Sequence, residues 1–310
     1  MFSVRAGDTI QPGCRKYRPF VKKRRRTHLA LGNLLPGPDM ENLMFTLDEQ
    51  TEKKLTLLGF SFERGGAHTA RTMMLEELRT LLDVVDGTEV TKMKFVAAVR
   101  DENCLGKRSE KTRTLTYRHL VDLYSLDPSL LTFRALLFFW KRDSQGQPLL
   151  ALLCAFCRDP LLRLSLDFVL GFHNGDVVSR EALEEHLNEA EPDRFSKATL
   201  KSTAQNINST WTQSGHLTGK SKKIRSHPSP TAGSVAYALL LGYLAGARGE
   251  FLFRTDFSRL LDCSYERMIE LAEEASRKGW IVFKRVGDVF EVLFPGLILE
   301  QEMKVLREQD

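Results

Sequence analysis

The sequence has no apolar run of the ~18 residues that a membrane span needs; the nearest approach, residues 235–247, has the length of a core helix. A soluble chain without membrane contact is the expectation. Cysteines are few, and Cys14, Cys104, Cys154, Cys157 and Cys263 form an odd, scattered set with no secretory signal before them. That excludes a disulfide scaffold and fits a reducing cytoplasm. The histidines, His28, His68, His119, His173, His186, His216 and His227, are equally scattered. None shares a helix face with another at metal-ligand spacing. Asp143, Asp159 and Asp167, near the expected bundle, could pair, but Asp before Pro or at a helix start is more often a cap than an acid. The close cysteine pair, Cys154 and Cys157, sits in "LLALLCAFCRDPLLR". Two thiols at i, i+3 on an apolar helix read as small core residues, since a zinc or redox role needs a second ligand pair or a strand-to-helix context. Nothing here points to catalysis, a metal or another cofactor. A non-enzymatic protein is expected.

A nucleotide-binding loop is missing too, although "SGHLTGKSKKIRS" contains its Gly-Lys-Ser ending. Such a loop needs four residues between its first glycine and Gly-Lys-Ser, and it joins a strand to a helix. Here Ser214 stands where the first glycine should be, and a helical pattern precedes the motif.

Charge is present but unevenly spread. The net charge is +5, yet residues 1–39 alone carry +7, from nine Lys/Arg against Asp8 and Asp39, which leaves −2 for the rest. Whole-chain basicity is therefore a property of the tail, and only local patches can argue for an anionic partner. "RKYRPFVKKRRR" has no apolar face, and "LLPGPD" breaks the chain after it. The tail reads either as a disordered arm that clings to nucleic acid or as an over-long start, with the folded sequence opening at Met40; the second reading is favoured slightly.

Helical periodicity dominates the chain beyond the tail. Over residues 69–85, Met74, Leu75, Leu78, Leu81, Leu82 and Val85 share one face. A second helix is expected over about 92–100, and after the turn at Gly106 the next begins with a basic edge of Lys107, Arg108, Lys111, Arg113 and Arg118. Asp127-Pro128, Gly146-Gln147-Pro148 and Asp159-Pro160 then mark the starts of three helices, because proline's missing N–H costs nothing in a first turn. Apolar residues nearly encircle these segments, so they should form the centre of a helical bundle.

Further on, Ser179 and Ser196 are placed to cap two helices separated by the turn "EPDRF". In the second, Leu200, Ala204, Ile207 and Trp211 form a buried stripe, and Lys201, Ser202, Gln205, Asn206, Asn208, Ser209, Thr212 and Gln213 occupy the other faces. Helix, short turn and polar helix is the helix-turn-helix order, and the connector after it stands where a wing would. Between residues 194 and 227 there are seven Lys/Arg and no Asp or Glu. Lysines suit phosphates, and amides suit base edges. The candidate nucleic-acid contacts are Lys197, Lys201, Gln205, Asn208, Lys220, Lys222, Lys223 and Arg225, with Lys107 and Arg108 on the earlier basic edge. The bland alternative is a solvated helix and a flexible basic loop.

The end of the chain repeats the order. Ser264 caps a helix with Met268, Ile269, Leu271 and Ala275 inward, Gly279 stops it, and residues 280–284 and 289–294 form a hairpin about Gly287-Asp288. Glu266, Glu270, Glu273 and Glu274 would repel phosphate, so this copy reads as structural or as a protein-contact surface. The apolar segment 237–244 is a second candidate docking surface.

"DENCLGKRSEKTRTLTYRHLVDLYSLDPS", "LLALLCAFCRDPLLR", "TLKSTAQNINSTWTQSGHL" and the terminal helix-hairpin, in this order, resemble the BrxA family of the BREX phage-defence clusters, over roughly residues 60–294. The resemblance implies a bacterial, mainly helical protein related in shape to NusB-like proteins, without known enzymatic activity. It also implies DNA binding beside a methyltransferase, an ATPase and a phosphatase-like protein. The basic tail before Met40 departs from the pattern. The expected fold is thus mainly α, a helical bundle with helix-turn-helix/winged-helix elements and a small C-terminal β-hairpin. Its parts would be a disordered tail over 1–39, a NusB-like bundle over 40–175, a helix-turn-helix with basic wing over 176–232, and C-terminal helices with a winged hairpin over 233–310. The expected function is duplex DNA binding in antiviral defence; the alternative is a scaffold that touches only proteins.

Overall fold

A computed structural model describes residues 48–87, 90–287 and 289–307. All of them belong to one unit, Asp39–Asp310. The expected tail over 1–39 and Asp288 of the expected turn lie outside the described residues.

The chain is mainly helical. The described residues open with α1 (Glu49–Leu58), capped by Asp48 and stopped by Gly59 in the left-handed region. A 3-10 turn, Ala67–Thr69, precedes α2 (Leu75–Val84). The periodic face expected over 69–85 is buried throughout, but the helix is shorter than its pattern. Met74 at its start is left-handed, and the chain before it is held by other elements: Thr210 Oγ1 accepts from the Met73 N–H at 2.8 Å, and the Tyr124 hydroxyl donates to Met73 O. These bonds replace the ladder a longer helix would have made.

The next elements are α3 (Lys92–Val96), which runs on as a π-turn over Ala97–Asp101, then α4 (Glu110–Tyr124), α5 (Leu131–Trp140), α6 (Gln147–Arg158), α7 (Pro160–Leu164) and α8 (Leu166–Leu170). Of the three proline signals, two stand at helix starts, with Asp159 capping α7 through the N–H groups of Leu161 and Leu162. Asp127-Pro128 does not. Asp127 accepts from the Ser129 N–H at 3.0 Å and the Ser129 hydroxyl at 2.7 Å, a turn that delays α5 to Leu131. The segment after Pro160 is two short helices rather than one, broken at Ser165, whose hydroxyl donates to Leu162 O and accepts from the Trp211 indole.

After β1 (Val177–Val178) come α9 (Arg180–Ala190), α10 (Lys197–Gln213), β2 (Leu217–Thr218) and β3 (Lys223–Arg225). The three strands make an antiparallel sheet in the order β1-β3-β2, with Val177 opposite Ile224 and Leu217 opposite Arg225. Then come α11 (Ala232–Leu244), a 3-10 segment Gly249–Arg254, α12 (Asp256–Arg259), α13 (Tyr265–Arg277), the antiparallel hairpin β4 (Val282–Val286) and β5 (Val289–Leu293), and α14 (Glu300–Arg307). Ser179, Ser196 and Ser264 cap α9, α10 and α13 as their positions suggested.

The core is centred on α6 and α11. Every residue of α6 from Leu149 to Cys157 is buried, both thiols included, and burial pushes Cys154 up to about 11, so it stays an inert thiol. α11 is buried over nearly its whole length and packs on α5, α6, α12 and α13. Its capping box, Thr231 with Ser234, fixes the entry. Asp143 ties that entry to the bundle by accepting from Gly233 N–H at 2.8 Å, and a Cβ on Gly233 would stand 2.4 Å from the same carboxylate oxygen. Segment 237–244 is therefore no docking surface: Tyr237, Leu239, Leu240, Leu241 and Leu244 are fully enclosed. Among the described residues, no helix is long and apolar enough to cross a membrane.

Candidate nucleic-acid interface

α10 places its polar side chains on two different surfaces. Leu200, Ala204, Ile207 and Trp211 do form the inward stripe, fully buried except for the partly buried Leu200. The remaining face is not uniformly free. Asn206 donates to His68 O at 3.0 Å, Ser202 to Thr69 O at 3.4 Å and Gln213 to Thr72 Oγ1 at 3.1 Å, while the Leu75 N–H donates to Gln213 Oε1. These side chains fasten α10 to the segment 68–75. They are structural, although sequence alone groups them with the exposed amides.

The other side of α10 opens on a groove of roughly 740 Å³, walled by β1, the first turn of α9, Gln205, Asn208 and Ser209 of α10, Lys220, Ser221 and Lys222 of the β2–β3 turn, and Lys223 at the start of β3. Five of the ten side chains singled out from the sequence meet here. Lys220 and Lys222 are exposed and make no ion pair among the described residues. Lys223 is half-buried, its Nζ donating to Gly219 O at 2.8 Å, and burial lowers its pKa from the ordinary lysine value. Gln205 is exposed, but Asn208 is buried, with an Oδ1 that has no hydrogen-bond partner among the described residues. A buried acceptor left unpaired is costly unless water or a ligand donor meets it. Arg180 also lines the groove, its charge answered by Glu181 and Glu184.

The other five fall differently. Lys197 and Lys201 are exposed on the first turns of α10, beyond the groove lining. Lys107 and Arg108 stand at the turn before α4, also outside it, and Lys107 Nζ pairs with Glu77 at 3.2 Å. Arg225 is no solvent-facing cation. It is 2 % exposed, donates to Asp262 Oδ2 at 2.7 Å and to the carbonyls of His216 and Ser226, and so anchors β3. Its partner lies 37 residues further on. Sequence reasoning missed β1, which is too short to show a period of two, and with it Val177, Val178 and Arg180.

The Gly-Lys-Ser motif lies in a strand-turn-strand setting. Gly219 has φ +89, and a Cβ there would meet Lys222 O at 2.1 Å. Only glycine takes that conformation without strain. Gly219→Ala should open the turn while leaving the bundle intact. Hydrogen exchange would show faster exchange at residues 217–225 with little change in melting temperature; unchanged protection there would mean that the turn does not depend on its glycine.

A second polar cluster is fully enclosed. His68 Nδ1 lies 2.8 Å from Asp159 Oδ2 and Nε2 2.8 Å from Thr210 Oγ1. Burial raises the Asp159 pKa, but His68 and the backbone N–H groups outweigh it and hold the carboxyl below its ordinary value. The order Asp–His–hydroxyl has the form of a nucleophile relay. Thr210 is wholly buried, however, and already accepts from Met73 N–H, so no substrate reaches it. It is a structural clasp. Among the described residues no three His, Cys, Asp or Glu side chains gather as a metal site would need. No protein-family model and no curated protein matches the chain.

Proposed function

We propose that this protein binds duplex DNA without catalysing a reaction on it, using α9, α10 and the β1-β3-β2 sheet as a winged helix. The observation that carries the reading is the convergence of Gln205 and Asn208 with Lys220, Lys222 and Lys223 on one groove. Four cationic side chains line it against the single carboxylate of Glu181. In this reading α10 presents Gln205 to base edges, while the β2–β3 turn and the start of β3 lay their lysines along a phosphate backbone, whose displaced counterions supply most of the affinity. Residence in a BREX-type defence complex of bacteria, beside a methyltransferase, an ATPase and a phosphatase-like protein, is the context the BrxA resemblance suggests.

The test is fluorescence anisotropy with labelled duplex DNA, single-stranded DNA and duplex RNA across a salt series. Each phosphate contact contributes about 0.9 to the slope of log K against log salt on duplex DNA. Changing Lys220, Lys222 and Lys223 to Glu should therefore flatten that slope by roughly 2–3 units. Arg225 is left out because its loss would release β3. Unchanged affinity in the triple variant would sink the wing assignment.

A second reading, a scaffold that touches only proteins, has its own support. On the outward face of the C-terminal hairpin, Val286 is 79 % and Val289 72 % exposed, with the Lys284–Glu291 pair and Leu293 beside them. Salt-independent behaviour with every nucleic acid would favour it.

A further inference from the structure

On the far side of the segment that fastens α10 lies a second cavity, of roughly 500 Å³, between residues 61–69, α4 and the end of α6. Its α4 wall is Leu115, Arg118, His119 and Asp122, the i, i+3, i+4, i+7 spacing of one helix face. The volume lies within the range of small-ligand pockets, and the lining is mostly polar.

The charges lining it are balanced. Arg118 and Arg158 contribute two cations, Glu63 and Asp122 two carboxylates. Arg158 is rigidly built: its guanidinium donates to Asp122 O at 3.0 Å, Val121 O at 3.4 Å and Gly59 O, all carbonyls. Burial first, and then the nearby Arg71, lower the His119 pKa from its ordinary value, and its Nδ1 stands 3.8 Å from Asp122 Oδ2, too far for a hydrogen bond. A phosphate dianion would face two carboxylates with no surplus of positive charge. A molecule carrying both signs would leave neither sign of the lining uncompensated. Gly66, at φ +117, keeps the loop against the cavity, where a Cβ would press on Leu161 and Asp159.

We infer that this cavity binds a small zwitterion of the amino-acid class, with its carboxylate toward Arg118 and Arg158 and its ammonium toward Asp122 and Glu63. The loop that closes the cavity is the loop that holds α10. Gly65 O accepts from Arg194, in the turn before α10, at 3.0 Å; Thr69 O and His68 O accept from Ser202 and Asn206. Occupancy therefore orders the first turns of α10.

Isothermal titration of the full chain, without nucleic acid, is the direct test. The probes are L-arginine, L-glutamate, L-glutamine and L-serine, with sodium acetate and ethylammonium chloride as ligands of one sign. At least one amino acid should bind saturably, at least tenfold more tightly than either one-sign control. Arg118→Gln and Asp122→Asn, both at exposed side chains, should each weaken it tenfold or more. Hydrogen exchange should show ligand-dependent protection over residues 197–205 that Arg194→Gln removes while binding persists. Absence of binding by all four amino acids up to about 10 mM, weaker than any useful small-ligand affinity, would overturn the site, as would acetate binding as tightly as the amino acids. Binding with no change of protection in α10 would overturn the coupling. None of these outcomes depends on whether DNA binds.

Discussion

Trp211→Ala should lower the stability of the fold by about 3–5 kcal/mol, the usual cost of truncating a large buried aromatic. Trp211 is fully enclosed, its indole N–H donates to Ser165 Oγ at 2.8 Å, and its ring meets His216 edge-on with centroids 4.7 Å apart. Removing it opens a cavity where α10, the α7–α8 break and the start of β2 meet. Gln205→Ala, six residues earlier on the exposed side of the same helix, should change stability by no more than about 0.5 kcal/mol. Urea unfolding followed by circular dichroism separates the two. Equal, small effects would mean that α10 is rotated about its axis.

The second large effect is a loss of stability in mild acid. His216 is fully buried: Nε2 lies 3.0 Å from Leu260 O and Nδ1 2.8 Å from Ser214 Oγ. A carbonyl only accepts, so Nε2 carries the hydrogen and the neutral ring completes the network. Burial first, and the Arg225 guanidinium second, push its pKa from the ordinary 6.5 down to about 3. The unfolded chain takes up a proton below pH 6.5 that the folded chain refuses. The stability contributed by the neutral ring is thus complete above pH 6.5 and is lost as pH falls toward 3, by about 5 kcal/mol over the whole window. Half-buried His119, lowered by burial, acts in the same direction, whereas Asp159 adds its share only below its ordinary value of 3.8. Urea midpoints should change little between pH 7.5 and 6.5 and then fall through pH 5.5 and 4.5, and His216→Gln should flatten that fall by close to one proton even though it lowers the plateau. An unchanged slope in the variant would place the acid sensitivity elsewhere.

Much of the architecture was legible because it is written locally. Ser179, Ser196 and Ser264 cap the helices they precede, Pro148 and Pro160 stand in first turns, and the stripe Ala204, Ile207, Trp211 faces inward. The two-residue strand β1 left no readable period, and the break at Ser165 has no proline or glycine to announce it. What stayed hidden depends on partners far along the chain. Nothing near Asn206 or Gln213 marks them as fasteners rather than readers, since their acceptors and donors lie at residues 68–75. Arg225 looks like its neighbours Lys222 and Lys223 until Asp262 is brought to it. The groove was half legible: its lysines and Gln205 follow from charge and helical spacing, whereas β1 and the first turn of α9 join it only through the sheet.

The clasp on Thr210 also bears on how the chain is made. His68 and Met73 meet that hydroxyl across 142 and 137 residues of sequence. During synthesis at about 5–20 residues per second, the early segment waits on the order of ten seconds for its partner to emerge. In that interval Leu75, Leu78 and Tyr124 can already associate and the Tyr124 hydroxyl can hold Met73 O, but the Met73 N–H has no partner until Thr210 arrives. α10 is thus the last element to fasten the left-handed turn at Met74, and a chain stalled before residue 210 should hold the start of α2 through Tyr124 alone.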